Sequence, residues 1–380
     1  MYEVEIIGIM WNPQYLRRID FRTLPILLGL MVISILVIAS TTGEDHLLTP
    51  IAKSQLQRFG IGFLSYLFFA GLDYHKLRDW TWIFYVVTII LLIGLFFTDS
   101  IQNVNRWYRL PLVPLAVQPS EFAKLSLVLT LSWFLEKKGR AVNQLSTFFQ
   151  ASLILLLPFI LILKQPDLGT ALVLFPIALG MFYFGGVNKK IITFMSTIGI
   201  AGLIFTSLIF LEIIPHEVIR PYATKFLKEY QFERFNPDTY HHQAAQTAIA
   251  LGKYFGSGWR KSEFTGRQFL PAAHTDSVFP AFAEEFGLIG VFFMLLLFLG
   301  LIYCCFQVTA VARDHFGRVL SSGITIYLAI HVIVNIGMMC GFMPITGVPL
   351  ILVTYGGSSV FLTLSALGIL QSVYARRFMF

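Results

Sequence analysis

The chain has 380 residues, of which 56% are hydrophobic and 13% charged, with a mean hydropathy of +0.72 and a formal net charge of +7. Soluble domains carry about 25% charged and 45–50% apolar residues, so this composition excludes a soluble enzyme, a disordered chain and a secreted disulfide scaffold. The basic residues are scattered through short loops between apolar runs rather than gathered into a patch, which argues against nucleic-acid binding and for a polytopic membrane bundle.

A membrane span needs about 20 mainly apolar residues. Ten such runs are predicted, at 24–42, 59–74, 80–98, 120–136, 147–163, 169–186, 190–214, 279–306, 319–342 and 349–374. The expected fold is an all-α polytopic membrane protein, a single transmembrane domain over 1–380, with one long extracytoplasmic loop at 215–278 between spans 7 and 8. The first run follows Arg17, Arg18 and Arg22 as a signal peptide would. It is too long for an h-region and has no clear cleavage site, so it reads as an uncleaved span. Pro158 and Pro176 fall inside spans, which packed neighbours tolerate.

Alternate loops are richer in Lys and Arg. One side holds Arg17, Arg18, Arg22, Lys76, Arg78, Lys137, Lys138, Arg140, Lys189, Lys190, Arg313, Arg318, Arg376 and Arg377; the short loops of the other hold Lys53, Arg58, Arg106, Arg109 and Lys164. Both termini are therefore expected in the cytoplasm. The long loop interleaves basic residues with aromatics such as Phe226, Tyr230, Phe235, Tyr240, Tyr254 and Trp259, and predicts short amphipathic helices on the membrane surface. Cys304, Cys305 and Cys340 lie inside apolar runs and read as small core residues. His241, His242 and His274 are too loosely placed for a metal site. No internal repeat is evident, which weighs against an inverted-repeat transporter.

Ionisable residues at membrane depth are costly, so each needs a reason. The first such segment runs from Asn105 through Arg106, Trp107 and Arg109 to Gln118-Pro119-Ser120-Glu121 and Lys124. Pro119 opens a helix, and Glu121 and Lys124 share one face, either as a local ion pair or as the lining of a substrate cavity. In the second, Gln165-Pro166-Asp167-Leu168-Gly169-Thr170, Asp167 either caps a helix or faces a cavity. The third carries His274-Thr275-Asp276 and then Glu284-Glu285-Phe286-Gly287 where the long loop re-enters the membrane. A half-desolvated Asp276 would have a raised pKa, as a general base for a sugar hydroxyl requires; the alternative is a helix cap. The fourth, Thr346-Gly347-Val348-Pro349 with Thr354-Tyr355-Gly356-Gly357-Ser358-Ser359, permits close helix packing or backbone approach to a ligand. No Walker A loop, dinucleotide fingerprint or serine-nucleophile elbow is present.

Taken together and in this order, the four segments resemble the SEDS family (shape, elongation, division and sporulation), and the resemblance spans essentially the whole chain. It implies a peptidoglycan glycosyltransferase of the bacterial inner membrane that polymerises lipid II onto a lipid-linked nascent glycan. The implied partner is a class B penicillin-binding transpeptidase. It implies Asp276 as the catalytic base, with Arg106, Trp107, Glu121, Lys124, Asp167 and Ser358 as substrate-binding residues. Arg106 and Lys124, and more weakly Arg234, are the candidates to neutralise the pyrophosphate, a role a divalent cation, Mg2+ or Mn2+, would share. His274-Thr275-Asp276 leans toward the elongation branch. Departures from the family pattern flank the motifs: the Gly-Gly pair usual after the position of Lys253 is missing, Lys253-Tyr254 running directly to Phe255-Gly256; Ala272-Ala273 replaces a more polar pair; and Ser277, Ile351 and Thr354 stand for Phe, Pro and Ser. Two rival readings are a lipid II flippase and a scaffold without chemistry.

Overall fold

The computed structural model describes residues 11–42, 49–98, 106–109, 116–223, 232, 236 and 238–378. Asn105, Arg234, Phe226, Tyr230 and Phe235 lie outside the described residues. A 3-10 turn, Pro13–Arg18, precedes α1 (Thr23–Thr41), α2 (Pro50–Gly71) and α3 (Tyr74–Gly94). A two-residue antiparallel pair, β1 (Tyr108–Arg109) and β2 (Ala116–Val117), leads into α4 (Pro119–Lys138). Then come α5 (Leu145–Lys164), α6 (Leu168–Gly185) and α7 (Lys189–Phe210). The long connection contains α8 (His216–Ala223), α9 (Tyr240–Gly252) and α10 (Glu263–Gly266). The chain finishes with α11 (Val278–Val311), α12 (His315–Met339) and α13 (Gly357–Ala375).

Eight of these helices are long and apolar enough to cross a membrane: α1, α3, α5, α6, α7, α11, α12 and α13. The other two long ones, α2 and α4, fall on predicted runs but carry internal polar residues, Gln55 on the first and Glu121 with Lys124 on the second, all three buried. Their polar groups are hidden by their neighbours rather than presented to lipid. The starts of two predicted runs move furthest. The second run begins as helix at Pro50, where the Thr49 hydroxyl accepts from the amide of Ala52 at 3.2 Å and Pro50 supplies the first turn. The last run begins as helix only at Gly357. Residues 346–356 are non-helical because Gly347 and Leu352 both take positive φ, +74° and +61°.

Burial is uneven across the bundle. In its apolar stretch α13 is 83% buried, whereas α7 is 0% buried. The contact of α13 with α2 is close because small residues permit it: a Cβ on Gly368 would stand 2.5 Å from the Tyr66 carbonyl, and one on Gly62 2.6 Å from Leu364. Ser65 and Ser365 share a 2.6 Å hydrogen bond across this seam. At the end of the bundle that carries the termini, the Asp20 amide donates to the Gln371 side chain at 2.7 Å. There too Arg376 donates to the Gly71 carbonyl at 2.9 Å, and the Trp11 indole stands where a Cβ of Gly71 would be.

Candidate active site at the opposite end of the bundle

The N-termini of α2, α4, α6, α11 and α13 all lie at the end away from the chain termini, each presenting unpaired amide hydrogens and partial positive charge. Asp276 stands just before α11. The Ala272–Ser277 segment is a tight turn in which the amides of Thr275 and Ser277 both donate to the Ala272 carbonyl, at 2.9 and 3.1 Å. Asp276 does not cap the helix. Ser277 holds the N-cap position, and its hydroxyl meets His241 Nε2 at 2.7 Å instead of the helix backbone.

The Asp276 carboxylate is half-buried and, among the described residues, receives no hydrogen bond. Withdrawal from water pushes its pKa above the usual carboxylate value, opposed by the nearby charges of His241 and Arg106. Burial in turn holds the His241 imidazole below its ordinary pKa, so it is neutral over most of the physiological range. Behind the carboxylate, the Asn335 amide of α12 donates to the carbonyls of Asp276 (3.3 Å) and Val348 (2.8 Å). Gly347, at φ +74°, faces Asp276 so closely that a Cβ there would stand 3.7 Å from Oδ2.

Arg106 donates from Nε to the Gln165 carbonyl at 3.2 Å and from Nη2 to the Pro166 carbonyl. These bonds use two of its five donors and hold the half-buried guanidinium beside the start of α6. Trp107, 40% exposed, is open to a ligand or to the membrane interface. Asp167 caps a helix and also ties two helices together. Its Oδ1 accepts from the Thr170 amide at 3.4 Å as the cap of α6, and its Oδ2 accepts from Gln118 (3.1 Å) and Ser120 (3.2 Å), tying α6 to the start of α4. The Ser358 hydroxyl accepts from the Gln118 amide at 3.3 Å, which brings α13 to the same point.

Glu121 and Lys124 form a 2.7 Å ion pair with side chains only 3% and 1% exposed. The Lys124 ammonium also reaches His331 Nε2 at 2.7 Å, while the Nδ1 of that ring lies 2.8 Å from the Tyr327 carbonyl. Nδ1 therefore carries the proton and Nε2 accepts from Lys124, so the histidine is neutral. The expectation that Lys124 directly contacts a pyrophosphate is corrected: its charge is consumed inside the bundle, where it locks α4 to α12. Arg106 keeps its guanidinium at the surface, where the helix N-termini add partial positive charge.

Glu284 and Glu285 anchor the long loop. The Glu284 carboxylate accepts from the amides of Phe264 (2.9 Å) and Thr265 (3.0 Å); Glu285 accepts from Ser40, the Arg260 amide (3.2 Å) and Ser262 (3.3 Å). Gly287, at φ +63°, kinks α11 and frees the carbonyls of Glu284 and Glu285 to accept the amides of Ser257 and Gly258, each at 2.9 Å. Tyr355 is pinned between the Arg58 guanidinium, 4.0 Å from its ring, and the His274 carbonyl, which accepts its amide at 3.0 Å. Among the described residues no three His, Cys, Asp or Glu side chains converge as a metal site, so no step is assigned to a protein-held cation.

The sequence profile of the FtsW/RodA/SpoVE cell cycle protein family matches residues 18–378. The chain belongs to this family. It is 31% identical over 372 residues to the peptidoglycan glycosyltransferase MrdB of Escherichia coli K12, covering 95% of this chain and 94% of that protein. It is 32% identical over 330 residues to the stage V sporulation protein E of Bacillus subtilis, covering 85% and 86%. Among solved structures, the rod shape determining protein RodA of Thermus thermophilus superposes with a TM-score of 0.69 at 25% identity, over 95% of this chain and 98% of that one. A chain from a peptidoglycan synthase complex, solved for how it coordinates polymerization and crosslinking, superposes at 0.76 with 27% identity, over 95% and 99%.

Two residues of this FtsW/RodA/SpoVE site are absent from the reading by motif. His331 and Asn335 sit inside the ninth predicted run, four residues apart and hence on one helix face. The signal for His331 was present, because an ionisable side chain within a span needs a partner. Asn335 leaves no such signal; only the fold shows what its amide touches.

Proposed function

We propose that the protein polymerises lipid II into β-1,4-linked glycan strands at the outer face of the bacterial inner membrane, with both termini in the cytoplasm. The observation that carries this reading is the Asp276 carboxylate, half-buried at the mouth of a membrane bundle and, among the described residues, without a hydrogen bond, where withdrawal from water pushes its pKa up. Asp276 takes the proton from the 4-hydroxyl of the lipid II GlcNAc as that oxygen attacks the anomeric carbon of the lipid-linked glycan. The new C–O bond forms as the bond to pyrophosphate breaks, and undecaprenyl pyrophosphate leaves with the electron pair. An α-linked donor gives a β-linked product by one inversion, so one base suffices and no enzyme nucleophile is needed.

The leaving group gathers negative charge, which Arg106 and the amide-rich starts of α4, α6 and α13 are disposed to receive. A divalent cation, Mg2+ or Mn2+, arriving on the pyrophosphate would share that work. Trp107, Asp167 and Ser358 then shape the surrounding surface. The family neighbour found in a complex for polymerization and crosslinking supports a transpeptidase partner of the class B penicillin-binding type.

The test is polymerisation of purified lipid II by the full chain, alone and with its cognate transpeptidase, comparing wild type with Asp276→Asn. Loss of about 10²–10⁴ in rate is expected from removing a general base. Full activity in the folded variant would move the base elsewhere. A wild type silent even with its partner would turn the reading to lipid II translocation, the flippase alternative.

A further inference from the structure

We propose that Asn335 is a positioning residue for the transfer reaction: its carboxamide, delivered from inside the bundle by α12, ties the Asp276 backbone to residues 346–348 and fixes where the carboxylate stands. The inference rests on the reading of Asp276 as the base.

Asn335 is fully buried, and its Nδ2 places one hydrogen on each of two carbonyls, Asp276 at 3.3 Å and Val348 at 2.8 Å. Its Oδ1 is buried and has no partner among the described residues. A lone buried acceptor is costly to keep, and a leucine would fill the same space without it. The residue's value therefore lies in the two bonds it donates. Val348 directly follows Gly347, the residue that faces Asp276 Oδ2. Holding Val348 thus also holds a wall against one side of the carboxylate and keeps water from it.

Position and desolvation are the means, since Asn335 is neutral. The charged group that acts on the carboxylate is Arg106, ahead of β1, joined by His241 on α9 only once that ring is protonated. Neither α12 nor residues 346–356 adds another charge there, and His274 on the same turn has its ring against Tyr355 at 6.0 Å. One helical turn away on α12, His331 accepts from Lys124. The buried Glu121–Lys124–His331 set thereby holds α12 in the register that delivers Asn335, which gives those charges a task inside the bundle.

The experiment uses the full chain with its transpeptidase partner and lipid II, and compares wild type, Asn335→Leu, Asn335→Ala and Asp276→Asn across pH. Asn335→Leu fills the volume without either donor, and Asn335→Ala removes both donors without adding a charge. Each is expected to lose on the order of 10²-fold in kcat, the cost of a misplaced group, with KM for lipid II little changed. The acidic limb of the kcat profile is expected to move to lower pH, because a carboxylate released toward water returns to its ordinary pKa. Folded variants with wild-type kcat and an unmoved limb would overturn the inference. So would a loss of kcat with the limb unmoved, which marks a merely structural residue. If Asn335→Leu fails to fold, the smaller and equally neutral Asn335→Ala supplies the same comparison. An inactive wild type or a fully active Asp276→Asn refutes the base itself, and the positioning role falls with it.

Discussion

A base withdrawn from water is a liability to the fold that carries it. The Asp276 carboxyl is held above its ordinary pKa of 3.8, so folding favours its protonated form. The destabilisation is absent below the unfolded pKa and present in full once pH exceeds the folded one. Asp276→Asn, which mimics the protonated state, is thus expected to unfold at a higher temperature than wild type at neutral pH. Thermal unfolding in detergent should show that gap narrowing as pH falls through the raised native value and absent below about 4. The Glu121–Lys124 pair has the opposite character. Lys124→Met leaves Glu121 buried with no countercharge, a change that typically costs about 3–5 kcal/mol. Adding Glu121→Gln removes the stranded charge and is expected to recover much of that loss, as unfolding of the single and double variants would reveal.

At the scale of elements, the re-entry of the long loop depends on the kink in α11. A Cβ on Gly287 would stand 2.3 Å from the Gly256 nitrogen and 2.6 Å from the Tyr254 carbonyl, at a φ of +63°. Gly287→Ala is expected to unseat the 253–262 segment while leaving the following turns of α11 intact, seen as faster hydrogen exchange at the amides of Ser257 and Gly258. The sequence exposes the Gly287 motif but not this use of it, because the partner strand of backbone lies thirty residues upstream. The helices themselves were legible because the apolar runs are long and the loops between them short. The start of α13 was not: residues 349–353 are as apolar as a span, yet Leu352 turns into positive φ and the chain there packs against the Asp276 turn rather than into a helix. Asp167 was legible as a cap because it follows a proline turn and precedes a helix. The placement of Lys124 was not, since spacing gave its partner Glu121 but not the histidine that claims its remaining donor.

For the molecule as a whole, the proposed orientation predicts which face labels. In a chain whose Cys304, Cys305 and Cys340 are replaced by alanine, a single cysteine at Lys261 is expected to react with an impermeant maleimide added outside spheroplasts. One at Lys190 is expected to react only after permeabilisation, and the reverse pattern would invert the topology. The distribution of burial has a consequence for biogenesis. The helix most enclosed by its neighbours, α13, follows every other described helix in the chain, while the nearly naked α7 lies midway. Until residues 357–375 emerge, Gly62 and Tyr66 of α2 lack the helix they pack against, and the clasp of Asp20 with Gln371 and of Gly71 with Arg376 is open. The bundle therefore has an open axis until α13 docks, and that docking separates a closed molecule from an abandoned one.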